Sequence, residues 1–355
     1  MKKFIKFIAV ILCLPLTLGF FGCNDDGDSA DFYYFNTQIN VVVYKGSLTD
    51  KLKNKINEVL DRLEKGYSVN NPNSFTEQFN NLQVGQTLNV SSQTIEILSK
   101  ATESYDFSDG KFNPRVYPLV RLWGFSPQFP VEGFKPPSNA SINAVLQNGL
   151  DFANSFTVNE TVLTKTSDAE IDLGGILKGF ASDKIANILK ENGYKDGFIN
   201  VGGSSLSLLD VSLLNVMHPR KDGHIISITK GLERTTISTS GDYQRYYLYN
   251  GIRYSHLINP QDGYPVNTGI QSATVVLPEN QCALADALST ALCLCSYQKD
   301  NDTLTPLINK ILTEFPSAQL YLVYETDGAK TILTNKKKGV DFTLLDSDYS
   351  VTTIG

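Results

Sequence analysis

The chain reads as an α+β protein of mixed, largely antiparallel sheets with helices packed on them. Three observations predict this. Several segments place apolar residues at helical spacing, and short β-branched or aromatic runs bounded by Gly, Asn and Asp lie between them. The strands come partly as hairpins and partly with helices intervening, which is the pattern of a mixed sheet. No repeat or low-complexity tract interrupts the 355 residues.

Met1-Lys-Lys-Phe-Ile-Lys6 is a basic start followed by an apolar run from Phe7 to Phe21, the order of a secretory signal. The run is shorter than the ~20 apolar residues of a spanning helix and contains Pro15, so a cleaved signal over residues 1–22 is expected. Phe20-Phe-Gly-Cys23 resembles a lipobox with Phe20 in place of the usual Leu, which makes Cys23 the expected lipidation site and the membrane a partner through a lipid anchor. The alternative is an ordinary secreted protein with an accidental Cys23. Residues 23–32 read as the lipidated N-terminus and a linker rich in Asp and Gly, and 33–355 as the folded body, enough for one large or two joined domains.

Within the body, Gln38–Tyr44 has strand character, and Leu52, Ile56, Val59, Leu60 and Leu63 set a helix over Asp50–Lys65. A second helix is predicted over Ser92–Tyr105, with Ser91 and Ser92 as candidate caps and Ile95, Ile97 and Leu98 on its apolar face. Gly110–Pro137, aromatic and rich in Gly and Pro, reads as an ordered irregular loop around the single Trp123. Glu170–Ile176 runs into a helix over Lys178–Asn192 with Ile185, Ile188 and Leu189 on one face, stopped by Gly193. Phe198–Val201 is a strand ending at Gly202-Gly203, and further short strands are expected between Ile225 and Tyr249 and at Thr274–Leu277. Helices over Ala283–Cys295 and Thr305–Phe315 precede a hairpin, Gln319–Tyr324 and Lys330–Leu333, turning at Asp327-Gly328.

Loss of residues 1–22 removes Lys2, Lys3 and Lys6 and no acid, leaving 28 basic against 37 acidic residues, a net charge near −9. Such a balance argues against nucleic acid as a partner. An acidic protein that handles an anion must neutralise it locally, by a cation, backbone N–H groups or a few placed Lys or Arg. With Cys13 in the signal and Cys23 acylated, Cys282, Cys293 and Cys295 make no disulfide framework and read as small buried hydrophobes.

Three segments could carry chemistry. Asp172-Leu-Gly-Gly-Ile-Leu-Lys-Gly179 sets a carboxylate and two glycines at an expected strand-to-helix junction, where a ligand can approach the backbone and helix N–H groups can meet phosphate oxygens. It is not a Walker loop, since Gly179 and Phe180 follow Lys178, and a tight turn closing a buried strand is the alternative. Asp286-Ala-Leu-Ser-Thr290 puts a carboxylate and a hydroxyl one helical turn apart, oxygen donors of the kind a hard cation such as Mg2+ takes together with substrate phosphates. His256-Leu-Ile-Asn-Pro-Gln-Asp-Gly-Tyr-Pro265 breaks from an extended piece into a turn with a histidine at its head, either a catalyst or a satisfied core group. His218 and His224 receive no role.

These segments, in this order, resemble the ApbE family of FAD:protein FMN transferases. The likeness runs through Ser74–Asn80, Asp109–Pro114 to Trp123-Gly-Phe125, Asp172–Asp183, Asn200-Val-Gly-Gly203, Ser238-Thr-Ser-Gly-Asp-Tyr243, His256–Pro265 and Ala285–Thr290. The resemblance implies an ApbE-like fold and transfer of FMN from FAD, as a phosphoester, onto a Thr or Ser hydroxyl of another protein, with Mg2+ and release of AMP. It implies metal ligands at the Gly175 carbonyl, the Asp286 carboxylate and the Thr290 hydroxyl, with Ser289 where some members carry an acid. FAD contacts would fall on Asn113, Pro114, Arg115, Asp172, Lys178, His256 and Ile258, with Phe35 near the early flavin contact. Asn113 stands where many relatives have Asp, and Asn71-Pro72 where some have a flavin-facing aromatic. His256, or a carboxylate near it, is the expected base for the acceptor hydroxyl.

No acceptor motif of the form D-x-x-[ST]-G-[AS]-[ST] occurs in the chain, so the acceptor is expected to be a separate exported protein. The resemblance implies an acceptor of the kind found as a subunit of ion-pumping quinone reductases or related electron-transfer systems, and this chain is itself expected to be lipid-anchored at the outer, periplasmic face of the cytoplasmic membrane or otherwise extracytoplasmic. Two other readings remain open from sequence: hydrolysis of FAD to FMN and AMP, and a lipoprotein that only binds flavin.

Overall fold

The computed structural model describes residues 27–126, 129–211, 213–229, 231–335 and 339–355; the expected signal and Cys23 lie outside them. Its centre is a sheet whose nine strands, among the described residues, lie side by side in chain order. They are β1 Asp28–Tyr34, β2 Thr37–Val43, β3 Gly197–Val201, β4 Ser205–Asp210, β5 Thr235–Gly241, β6 Ile270–Pro278, β7 Gln319–Thr326, β8 Ala329–Thr334 and β9 Ser350–Thr353. Neighbours are antiparallel except β8 and β9, which run parallel, so the sheet is mixed and largely antiparallel as the sequence predicts.

Helices α1 Asp50–Tyr67, α2 Phe75–Asn81, α3 Ser92–Phe107, α4 Tyr117–Leu122, α5 Asn139–Gln147, α6 Gly174–Glu191, α7 Cys282–Cys293 and α8 Leu304–Glu314 complete the chain. Strand alternation sends Ile199, Val275 and Leu322 to one face, where they meet Ile56 and Leu60 of α1, Ile185 and Leu189 of α6, Leu288 of α7 and Ile308 of α8. Phe198, Val276 and Tyr321 point the other way, into a second core capped by a small sheet of Leu214–Met217, His224–Ile228 and Phe342–Leu344. A third cluster gathers Leu119, Trp123, Phe125, Ile142, Tyr247 and Ile258.

Four sequence expectations change. The linker is shorter than expected, because from Asp28 the chain already forms β1 against β2. The loop expected over Gly110–Pro137 contains a 3-10 turn at Pro114–Val116 and α4, since Pro118 at the start of a helix costs no hydrogen bond. Ile171–Leu173 joins no sheet: Asn80 pairs the Ile171 backbone on both sides and the Asp172 N–H donates to the Pro114 carbonyl. And α6 begins at Gly174, so the two glycines lie inside its first turn.

The antiparallel order brings alternate connections to one end of the sheet: the β1–β2 turn at Phe35-Asn36, the β3–β4 turn at Gly202-Gly203, and the loop leaving β5 at Gly241. Helix α6 feeds the far end of β3, so its N-terminus lies at this same end, and α7 runs toward it from the far end of β6. The two helices touch backbone to backbone. A Cβ on Gly179 would stand 2.3 Å from the Cys282 carbonyl oxygen. The buried Asp183 carboxylate caps α7 by accepting the N–H groups of Cys282 (3.0 Å) and Ala283 (3.1 Å).

Gly179→Ala should therefore destabilise by about 1–3 kcal/mol or more through overpacking, while Gly66→Ala in α1, with open space around its Cβ position, should be neutral or stabilise by up to about 1 kcal/mol. Denaturant midpoints of the two variants check this, and equal effects would contradict the contact.

Candidate active site

The Asp172 segment is fixed by one local bond as well as by those to Asn80 and Pro114. Asp172 Oδ1 accepts the Gly174 N–H at 2.8 Å, and the Phe112 ring lies 3.1 Å from where a Cβ on Gly175 would be, a tight fit that a larger residue would meet only if the ring gave way. Gly174 and Gly175 are exposed; with the Gly174 N–H on Asp172 and those of Ile176 and Leu177 on the Leu173 carbonyl, the Gly175 N–H is the first-turn amide left for an anion. Asn113 caps the Pro114–Val116 turn through the Arg115 N–H and donates to the Leu150 carbonyl. The Arg115 guanidinium gives its Nη hydrogens to the oxygens of Asp151, Ser167, Asn148 and Asp168, and burial pushes its pKa down against the pull of Asp151 and Asp168. In this arrangement Arg115 knits the loops behind Asp172, and Pro114 supports Asp172 through its carbonyl.

Asp286 is 3% exposed. Its Oδ1 accepts the Ser238 hydroxyl at 3.0 Å and its Oδ2 accepts the Gly179 N–H at 3.1 Å, with Lys178 Nζ 3.8 Å from Oδ2. In an α-helix the Gly179 amide points at the carbonyl of Gly175, four residues back. Asp286 Oδ2 and the Gly175 carbonyl thus meet around one N–H. Thr290, one turn further along α7, bonds Ser240 at 3.0 Å, and Ser240 bonds Ser289 at 2.8 Å. Ser289 is fully buried and also reaches the Asp286 carbonyl oxygen at 3.0 Å, so its hydroxyl serves this chain rather than standing free.

The donor set is all oxygen: one carboxylate, one hydroxyl and one carbonyl. Among the described residues no group of three or more His, Cys, Asp and Glu could hold a metal. A soft or transition metal is poorly served here, whereas a hard cation that keeps substrate oxygens in its shell fits the three donors.

His256 directly follows a hairpin, Tyr246–Tyr249 and Ile252–Ser255, that comes after β5. Its backbone N–H and its Nδ1 both lie on the Arg245 carbonyl oxygen, at 3.0 and 3.1 Å. A ring nitrogen facing a carbonyl must donate, so the proton sits on Nδ1 and Nε2 keeps its lone pair. Surrounding protein pushes the imidazole pKa well below 6.5, and the charges of Arg245 and Lys178 add to the shift. Burial raises the Asp172 carboxyl instead, against the Gly174 N–H and the same two cations. These side chains open to solvent on one side and are enclosed by protein on the others, and enclosure dominates both shifts. Ile258 lies buried in the aromatic cluster, bridged to Pro265, and Phe35 lies half-buried at positive φ in the β1–β2 turn, its N–H on Glu64.

Three contributors were not assigned from sequence. Ser238 and Ser240 belong to the Ser238–Tyr243 motif but reveal their role only when β5 is set beside α7. Arg245 follows that motif by two residues, and a cation beside a motif in so acidic a chain is the one signal that could have found it.

The fold defines an α+β protein that gathers an exposed helix start, an oxygen-rich cluster around Asp286 and a neutral histidine at one end of its sheet. The ApbE family model matches residues 35–310, and the chain belongs to the ApbE family. It is 29% identical over 258 residues to the FAD:protein FMN transferase of Escherichia coli (strain K12), covering 70% of this chain and 72% of that protein. To that of Vibrio cholerae serotype O1 it is 27% identical over 255 residues, covering 70% and 74%. Among solved structures, the ApbE protein of Thermotoga maritima superposes with a TM-score of 0.72 at 26% identity, covering 85% of this chain and 95% of that one. The flavin transferase ApbE of Vibrio cholerae also gives 0.72, at 22% identity, covering 91% and 98%.

Because its folded pKa is depressed, His256 contributes stability that is present above about pH 6.5 and lost as pH falls below it. Its 15N resonances should report the Nδ1–H tautomer and stay unchanged as pH falls through 6.5. An ordinary titration there would contradict the geometry.

Proposed function

We propose that the protein is an FAD:protein FMN transferase that works with Mg2+ on a Thr or Ser hydroxyl of a separate exported protein, releasing AMP. The observation that carries the reading is the bond of Asp286 Oδ2 to the Gly179 N–H, in the second turn of α6, with Lys178 Nζ 3.8 Å away and a neutral His256 within reach of the charge of Lys178. The transferase names of the relatives and the family membership support it. We further read residues 1–22 as a signal and Cys23 as a lipid anchor at the outer face of the cytoplasmic membrane.

FAD brings a pyrophosphate of about two negative charges to an acidic protein. The Gly175 N–H at the start of α6 and the ammonium of Lys178 receive that charge. Asp286, Thr290 and the Gly175 carbonyl would hold Mg2+, which when bound neutralises the pyrophosphate oxygens and the departing AMP. Asp172, pinned by Gly174, keeps the first turn of α6 in place. Nε2 of His256 takes the proton of the acceptor hydroxyl as its oxygen bonds to the FMN phosphorus and the bond from that phosphorus to the AMP oxygen breaks. Enclosure by protein above all, then the charge of Arg245 and to a lesser degree that of Lys178, keeps His256 unprotonated before the reaction.

The test is to mix the purified chain with FAD, Mg2+ and a domain bearing a D-x-x-[ST]-G-[AS]-[ST] motif, then denature and look for yellow fluorescence that stays with the domain. Asp286→Ala should abolish attachment, and His256→Ala should slow it by about 10²–10⁴-fold, the usual range for a lost general base. Full turnover in His256→Ala would remove its role as base. Free FMN and AMP with no attached flavin would make the protein a hydrolase, and no FAD consumption at all would leave it a flavin binder.

A further inference from the structure

The imidazole of His256 is only as well placed as the Arg245 carbonyl that holds it. That carbonyl sits on an irregular turn, residues 242–245, between β5 and a hairpin of Tyr246–Tyr249 and Ile252–Ser255. Two contacts tie the start of the turn. The Asp242 N–H donates to the Gln271 carbonyl on β6 at 3.1 Å, and the Asp242 carboxylate accepts both arms of Arg220, Nη1 on Oδ1 at 2.7 Å and Nη2 on Oδ2 at 2.6 Å. Arg220 comes from a different layer, the link between the strands Leu214–Met217 and His224–Ile228 that cap the second core.

The fork is delivered by a rigid support. The N–H groups of Arg220 and Lys221 both donate to Nδ1 of the buried His218, at 3.0 and 3.2 Å, and Nη1 also bonds the Pro219 carbonyl. Since Nδ1 accepts, the His218 proton is on Nε2, where it donates to Asp346 Oδ2 at 3.0 Å. Asp346 also accepts Lys221 Nζ at 2.8 Å. A chain of contacts therefore runs from Asp346, in the C-terminal stretch beyond the family match at 35–310, to the turn that carries Arg245.

We propose that Arg220 is a positioning residue for flavin transfer: its two-armed bond to Asp242 fixes the turn from which Arg245 orients His256, with the His218–Asp346 pair holding Arg220 in place. Magnitudes separate this role from a merely structural one. A partly exposed ion pair contributes about 0–1 kcal/mol to stability, whereas a 1 Å displacement of a catalytic group can cost on the order of 100-fold in rate. Loss of the fork should thus show in turnover far more than in stability.

The proposal rests on the transferase reading. Arg220→Ala should keep the KM for FAD and a melting temperature close to wild type while kcat for attachment falls about 10-fold or more. Arg220→Lys, which can make one arm of the fork, should fall between, and Arg220→Ala/Asp242→Ala should be no slower than Arg220→Ala alone. Wild-type kcat in Arg220→Ala, or losses that multiply in the double variant, would overturn it. Should Arg220→Ala fail to fold, Arg220→Lys and Asp242→Asn decide by the same criteria. If the wild type attaches no flavin, the transferase reading fails by itself. The His256 ring resonances then decide the positioning role: a shift in Arg220→Lys and Asp242→Asn supports it, and unchanged resonances sink it.

Discussion

The site depends on the backbone contact between α6 and α7. Two helices can approach this closely only where one lacks a side chain, and Gly179 supplies that gap against Cys282. Everything polar at the contact then follows from it. Asp183 of α6 reaches the open N–H groups of α7, and Asp286 of α7 reaches an N–H of α6, so each helix sends one carboxylate into the other. The first bond fixes where α7 starts and so where Asp286 and Thr290 fall along it. The second brings Asp286 to the Gly175 carbonyl. Burial pushes the Asp183 carboxyl up to about 6, against the stabilising pull of the two amides.

Charge is handled locally, and the field of the whole chain works against an anionic substrate. With acids in excess, an anion bound here would rely on the Gly175 N–H, on Lys178 and on Arg245. The same two cations that favour an incoming anion also disfavour protonated His256, so the groups that would bind phosphate help keep the imidazole neutral. Lys178 stands near Asp286 as well, so one side chain touches the oxygen-donor cluster, the helix start and the histidine by its charge. Hydroxyls rather than further carboxylates surround Asp286, through Ser238, Ser240 and Ser289. That choice leaves one formal negative charge at the cluster, a modest one for a divalent cation that must also accept phosphate oxygens.

Much of this was legible in the sequence, and the misses have physical reasons. Helical spacing gave α1 and α3 to within two residues, and the Asp327-Gly328 turn gave the β7–β8 hairpin, because local periodicity and positive φ preferences act over a few residues. The strand expected before α6 failed because its backbone is paired by Asn80 and Pro114, about 91 and 58 residues away, which no local pattern encodes. The linker reading failed at Asp28 because the polar, acidic texture of an edge strand resembles that of a loop. Asp172, Gly175, Lys178, His256, Asp286 and Thr290 were all found as motif members, but the hydroxyl chain and the Arg220–Asp242 fork arise from strand order and layer packing. A residue such as Arg220 carries no signal of its own.

The account stands on the claim that Asp286 and the start of α6 together hold a hard cation for the FAD phosphates. Calorimetric titration of FAD into the wild type and into Asp286→Asn, each with and without Mg2+, tests it without reference to turnover. The account predicts that Mg2+ tightens FAD binding in the wild type and has little effect in Asp286→Asn. An equal gain from Mg2+ in both proteins would contradict it.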